Sequence, residues 1–221
     1  MTDTRALILE RISGALRDVP SGEQPGDIWV PREYRRAGLT APPGVLSLFA
    51  ERAAEYRARV VRATGRSAAA TVARLLADQD IADLVIPPGF PARYLPPPGA
   101  HTPLHDEPRL SAGALDAAHG VITTCALAIA ETGTIILDAS PGQGRRALTL
   151  LPDYHLCLVH AGQVVATVPD AIARLNPRRP LTMISGPSAT SDIENNRVEG
   201  VHGPRTLHVL IIEPDDEPDQ P

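Results

Sequence analysis

Not one of the 221 residues is lysine, so all 21 cationic side chains are arginine. A Schiff base, a phosphate-loop lysine and a lysine general base are thereby excluded, because arginine stays protonated and cannot take those roles. Cysteine is nearly missing too. Cys125 and Cys157 stand far apart, with no CxxC and no set of four, so neither an iron–sulfur cluster nor a structural zinc is expected in this chain. Nor is there a basic excess: the formal net charge of −5 argues against a nucleic-acid partner, whose phosphates call for a cationic surface. The longest apolar stretch, 121–139, is broken by Glu131, Gly133 and four threonines. A membrane span needs roughly 20 predominantly apolar residues, so none is expected. Asp3, Arg5, Glu10 and Arg11 interrupt any secretory apolar core, which makes the cytoplasm the expected location.

What is present reads as one globular core with an N-terminal extension, since 43% hydrophobic content suffices for one good core at this length. Residues 3–17 place Leu7, Ile8, Ile12, Ala15 and Leu16 at helical spacing, and residues 44–63 do the same with Val45, Leu48, Phe49, Ala53, Tyr56 and Val60. Seven prolines and glycines between Val19 and Pro43 make the connector irregular. Three parts are expected: a helical arm with its Pro-rich connector over 1–66, an α/β domain over 67–212, and an acidic, disordered tail over 213–221. Within the domain Ser67 is expected to cap a helix through about Ala77, and strands are expected at 84–86, 121–123, 134–137, 155–159, 181–184 and 207–212. Further helices are expected near 111–118, 125–131 and 168–175. Runs such as Leu207-His-Val-Leu-Ile-Ile212 are short and β-rich, as strands buried on both faces require, so a mostly parallel mixed sheet flanked by helices follows.

Three segments carry candidate chemistry. In Ala128-Ile-Ala-Glu-Thr-Gly-Thr134, a helix-like stretch ends at Glu131 and turns into a strand at Gly133, where glycine permits a tight turn and close approach of a ligand. A carboxylate at a helix C-terminus opposes the dipole, so Glu131 reads either as ligand contact or acid–base group, or as a structural cap or ion-pair partner. In Gly186-Pro-Ser-Ala-Thr-Ser-Asp-Ile-Glu194, Ser191 and Glu194 match a capping box, while the preceding hydroxyls and N–H groups offer an anion site at the same helix start. In Gly200-Val-His-Gly-Pro204, His202 is framed by turn residues, as a hydrogen-bonded turn histidine or, with Asp192 and Glu194, a weak metal set. His101, His105, Asp106 and Glu107 form another weak set. Gly142-Gln-Gly-Arg-Arg146 reads as a loop able to grip phosphate, although it lacks the third glycine of a dinucleotide fingerprint. No Gly-x-Ser-x-Gly elbow is present, and Cys125 reads as a small buried hydrophobe.

The order and spacing of Ala128–Leu137, Leu150-Leu-Pro152, Gly186–Glu194 and Gly200–Pro204 resemble the lactate-utilisation (LUD) domain family, over roughly residues 67–212. The helical arm is also typical of the short subunit in that family. The resemblance implies a fold like that of the ribose-phosphate isomerase, glucosamine-phosphate deaminase and coenzyme A transferase superfamily. It further implies participation in oxidising L-lactate to pyruvate beside two partner subunits that carry iron–sulfur clusters. Glu131, Thr132, Gly133, Thr134, Gly186, Ser188, Thr190, Asp192, Glu194 and His202 are carried as motif positions expected to line a pocket for a small carboxylate or phosphate-bearing ligand. Glu131 and His202 are the catalytic candidates. Two alternatives stay open: a free-standing transferase or isomerase using Glu131, and an assembly or regulatory subunit that docks through its arm.

Overall fold

The computed structural model describes residues 4–20, 22–24, 26–31, 33, 43–190, 198–199 and 203–215, with backbone alone at 189–190 and 198–199. The chain divides into two units, Met1–Arg35 and Arg36–Pro221. The first contains the helix α1 (Thr4–Ala15), on which Leu7, Ile8, Leu9 and Ile12 are all exposed.

The second unit is built on a fully parallel sheet of six strands: β1 (Arg59–Thr64), β2 (Asp83–Ile86), β3 (Thr102–His105), β4 (Gly120–Thr124), β7 (Tyr154–His160) and β12 (Thr206–Glu213), in the order β1-β12-β7-β4-β2-β3. The four inner strands are nearly continuous apolar runs because both faces are covered. The edges differ in kind. β1 carries Arg59 and Arg62, and β3 carries Pro103, which lacks a donor N–H and is tolerated at an edge.

Alternation along β7 and β12 sorts the core into two layers. Leu156, Leu158, Leu210 and Ile212 face α3 (Ala68–Ala77) through Val72, Leu75 and Leu76. Cys157, Val159, Val209 and Ile211 face the opposite way, onto Phe49 and Ala53 of α2 (Val45–Glu55) and onto Ala128, Ile135 and Leu137. Those last three residues belong to a smaller sheet of β5 (Leu127–Ile129), β6 (Thr134–Leu137), β8 (Val164–Val165) and β9 (Thr182–Ile184), in the order β8-β5-β6-β9. Among the described residues, a two-residue pairing of β10 (Ala189–Thr190) with β11 (Val198–Glu199) completes the strands, and the short helices α4 (Ala112–Asp116) and α5 (Val168–Arg174) complete the α-helices.

Three sequence expectations change. The helix expected near 125–131 is β5 and the start of a hairpin turn: Ala126–Ala130 is too short an apolar run to separate helix from strand by period, and pairing with Thr134–Leu137 decides it. The helix expected over 44–63 stops at Tyr56, where Arg57 takes φ 68°, and β-branched Val60 and Val61 continue as β1 beside β12. Residues 45–64 are therefore part of the sheet unit rather than of an arm. Finally, the Ser67 hydroxyl makes no cap contact with α3 and instead accepts from the Thr64 N–H at 3.0 Å.

Candidate functional site

The β5–β6 hairpin places residues 130–133 at a turn, and β6 then runs antiparallel to β9 with Ile135 opposite Ile184. That register brings two motifs far apart in sequence side by side. Thr132 Oγ1 and Thr134 Oγ1 lie 2.7 Å apart, and Thr134 Oγ1 lies 2.8 Å from Ser185 Oγ, a chain of three hydroxyls linking the turn to the segment after β9. Gly133 and Gly186 both take positive φ, and a side chain on either would strike α2 or the residue that ends it, at the Arg52–Ala53 backbone and the Tyr56 carbonyl respectively. Close packing on that helix, rather than approach of a ligand, accounts for Gly133.

Beside this junction is a cleft of about 160 Å³ at the amino ends of β7 and β12. Ser185, Gly186 and Ser188 form one wall, and Ser188 is held there by its N–H donating to the Pro204 carbonyl at 2.9 Å. Arg146 and Thr149, from the turn before β7, form another. Arg146 is exposed and donates to Thr182 Oγ1 at 3.0 Å. His155 contributes a buried imidazole, whose Nε2 shares a 2.7 Å hydrogen bond with Thr123 Oγ1. Burial pushes its pKa down to about 4, so the ring is neutral at neutral pH. Among the described residues its Nδ1 takes no partner. One guanidinium, several hydroxyls and a neutral imidazole give the cleft a cationic, hydrogen-bonding lining. Its volume is below the roughly 300–1,000 Å³ of pockets for drug-sized ligands, which suits a small polar molecule.

The sequence candidates divide accordingly. Gly186 and Ser188 line the cleft, and Thr132 and Thr134 belong to the hydroxyl chain at its side. Glu131 sits exposed on the hairpin turn and is not among the lining residues, and with no helix ending there the dipole argument for it lapses. Thr190 pairs through its backbone with Val198, while Asp192, Glu194, His202 and the helix expected after Ser191 lie outside the described residues. Arg145 is engaged within the chain. Its guanidinium forks onto Asp106, Nε to Oδ2 at 2.9 Å and one terminal nitrogen to Oδ1 at 3.0 Å, and reaches the Leu110 carbonyl at 2.7 Å. That hydrogen bonding holds the Asp106 carboxyl below its usual range and removes Asp106 from the weak metal set. Among the described residues no three His, Cys, Asp or Glu side chains are grouped to hold a metal. Cys125 is buried, and its hydrogen bonding with Cys157 together with burial pushes its thiol up, away from the thiolate.

The sequence did not single out His155, Thr149, Thr182 or Ser185, and it left open which arginine of the Arg145-Arg146 pair lines the cleft, which is Arg146. The usable signal was His155 itself, a polar residue inside the buried strand Tyr-His-Leu-Cys-Leu-Val-His.

Among known proteins, the family model described as the LUD domain matches residues 46–212, a span that begins at α2 and so includes α2 and β1. "Lactate utilization protein C" of Deinococcus radiodurans is 44% identical over 172 residues, covering 76% of this chain and 79% of that protein. The protein of the same name from Bacillus pumilus is 41% identical over 98 residues, 40% of this chain and 39% of its own. A crystal structure of a DUF162-family protein from Deinococcus radiodurans matches with a TM-score of 0.64 at 39% identity, over 76% of this chain and 96% of that one. With the domain model matched from α2 through β12 and the sheet architecture shared with a solved relative, the chain belongs to the LUD-domain family.

Proposed function

We propose that this chain is the non-iron–sulfur subunit of an L-lactate utilisation system and that the cleft between Arg146 and His155 binds a small 2-hydroxy or 2-keto carboxylate. The names of its relatives support the lactate-utilisation role. The observation that carries the ligand class is the convergence of one guanidinium, the Ser185 and Ser188 hydroxyls and a neutral imidazole on a space of about 160 Å³. Arg146 takes the carboxylate, and His155 Nδ1 takes the hydroxyl or, through its other tautomer, meets the keto oxygen. On sequence grounds Thr190, Asp192, Glu194 and His202 complete the ligand set. Both thiols of the chain are buried, so electron transfer through clusters falls to cluster-bearing partner subunits. A covalent role for Glu131 is not part of this reading, since that side chain stands outside the cleft.

Calorimetric titration of the purified chain with L-lactate and with pyruvate tests the cleft. Removing a charged hydrogen-bond partner costs about 1.5–3 kcal/mol, so Arg146→Ala weakens binding roughly 10- to 100-fold. Equal affinity of the native chain and the variant would falsify the cleft assignment. The physiological role is tested separately, by growth on L-lactate after deletion of the gene in a strain with no other lactate dehydrogenase; undiminished growth removes it.

A further inference from the structure

Past the carboxyl ends of β2, β4 and β7 lies a second, larger cavity of about 580 Å³, a volume that suits a ligand well beyond three carbons. It opens on the edge of the parallel sheet opposite to the small-acid cleft. His155 and His160 mark the two edges of β7, and five residues of strand separate them by about 16 Å. In parallel α/β sheets the crevice outside the carboxyl ends of the strands is the ordinary ligand position.

The lining of this cavity is asymmetric in charge. Arg174 and Arg179 face a single carboxylate, Asp138, and Arg178 is next to Arg179 in sequence. Asp138 is already answered: it accepts from Arg179 at 3.1 Å and from the Ser140 N–H at 3.1 Å, and although burial opposes its ionisation these contacts hold its carboxyl below the usual range. Arg174, in the last turn of α5, makes no hydrogen bond or ion pair among the described residues. His160 is not spare either, because its imidazole accepts from the Gln163 N–H and contacts the Tyr94 hydroxyl at 3.4 Å. The remaining walls are apolar, formed by Pro91, Leu127, Pro141 and Leu175.

We propose that this cavity is a second binding site, for an organic phosphate, with the phosphate on Arg174 and the organic part against Leu127, Leu175 and Pro141. With Arg179 answering Asp138, Arg174 is, among the described residues, the cation left uncommitted on this wall, and its planar guanidinium can bind two phosphate oxygens in parallel. The site is independent of the small-acid cleft and shares none of its lining residues.

The full-length chain, isotopically labelled, is titrated with phenyl phosphate and, in parallel, with inorganic phosphate at physiological salt, followed by amide resonances and by calorimetry. Phenyl phosphate is expected to saturate one site per chain, to move amides at 124–127, 138–141 and 174–179, and to bind at least ten times tighter than inorganic phosphate. Arg174→Gln, an exposed change, weakens phenyl phosphate tenfold or more, while Arg146→Ala leaves it unaltered. Absence of saturable binding, shifts confined to 182–188, equal affinity for the two probes, or sensitivity to Arg146 in place of Arg174 would each overturn the proposal. The lactate titration above is read on a different arginine, so either assignment can fail without the other.

Discussion

Gly133 and Gly186 are 53 positions apart in sequence, yet the same stretch of backbone constrains them. Each takes positive φ, and each presses against residues 52–56 at the C-terminal end of α2. An alanine at either site meets backbone strain and a collision with backbone that has no flexible end to move aside, so Gly133→Ala and Gly186→Ala each destabilise the chain by about 2–4 kcal/mol. Urea unfolding measures this. A tolerated alanine at Gly133 would show that α2 is held less closely than the structure places it. Gly186→Ala additionally lowers ligand affinity, because Gly186 lines the cleft, whereas loss at Gly133 is mainly one of stability. At this scale the sequence reads Gly133 as a glycine for a tight turn and close approach of a ligand, and the structure keeps the turn but puts α2 where a side chain would stand. A glycine that permits a turn and a glycine that admits a neighbouring helix look alike until the neighbour is known.

Local chemistry decides some elements outright. Thr167 accepts from the Asp170 N–H at 3.4 Å, and Asp170 Oδ2 accepts in return from the Thr167 N–H at 3.1 Å and from its hydroxyl at 2.6 Å, a reciprocal cap that starts α5 with Pro169 in its first turn. Thr167→Ala therefore costs about 1 kcal/mol, and Thr167→Ser much less, by thermal or urea denaturation. The sequence places a helix near 168–175, with Asp170 or the Val168-Pro169 turn as its cap; the cap is Thr167, with Asp170 reciprocating. Other elements were not legible in this way. β5 and the start of β6 share one apolar stretch with Cys125, and a run of that length fits a buried helix as well as a strand. The antiparallel partner strand supplies the ladder bonds that settle it, and that choice also moves Glu131 from a helix end to an exposed turn.

At the scale of the molecule, two buried histidines make stability depend on pH. His155 and His208 both have pKa values pushed down to about 4 by burial, against an ordinary 6.5. The unfolded chain takes up these protons first, so stability is level above about pH 6.5 and falls as pH drops towards 4, with a contribution on the order of 3 kcal/mol from His155 alone. Below the ordinary carboxylate range Asp106 adds a further loss, because its pKa is held down by Arg145 and protonation ends that pairing. His155→Asn, which keeps a polar group near Thr123, lessens the fall of the unfolding free energy between pH 6.5 and 4 and leaves the part due to His208; a slope identical to that of the native chain would assign the acid sensitivity elsewhere. The sequence by itself determined the parallel α/β class, the family and the excluded chemistries, because β-rich runs buried on both faces, motif order and the absence of lysine are properties of the chain read in one dimension. Only the tertiary structure decided which arginine is spent on Asp106 and which lines the cleft, that β6 and β9 join the two motifs through Thr134 and Ser185, and that His155 stands at the cleft. Those are choices of register and packing, made between residues that lie 30 to 60 positions apart, and no local pattern of residue types encodes them.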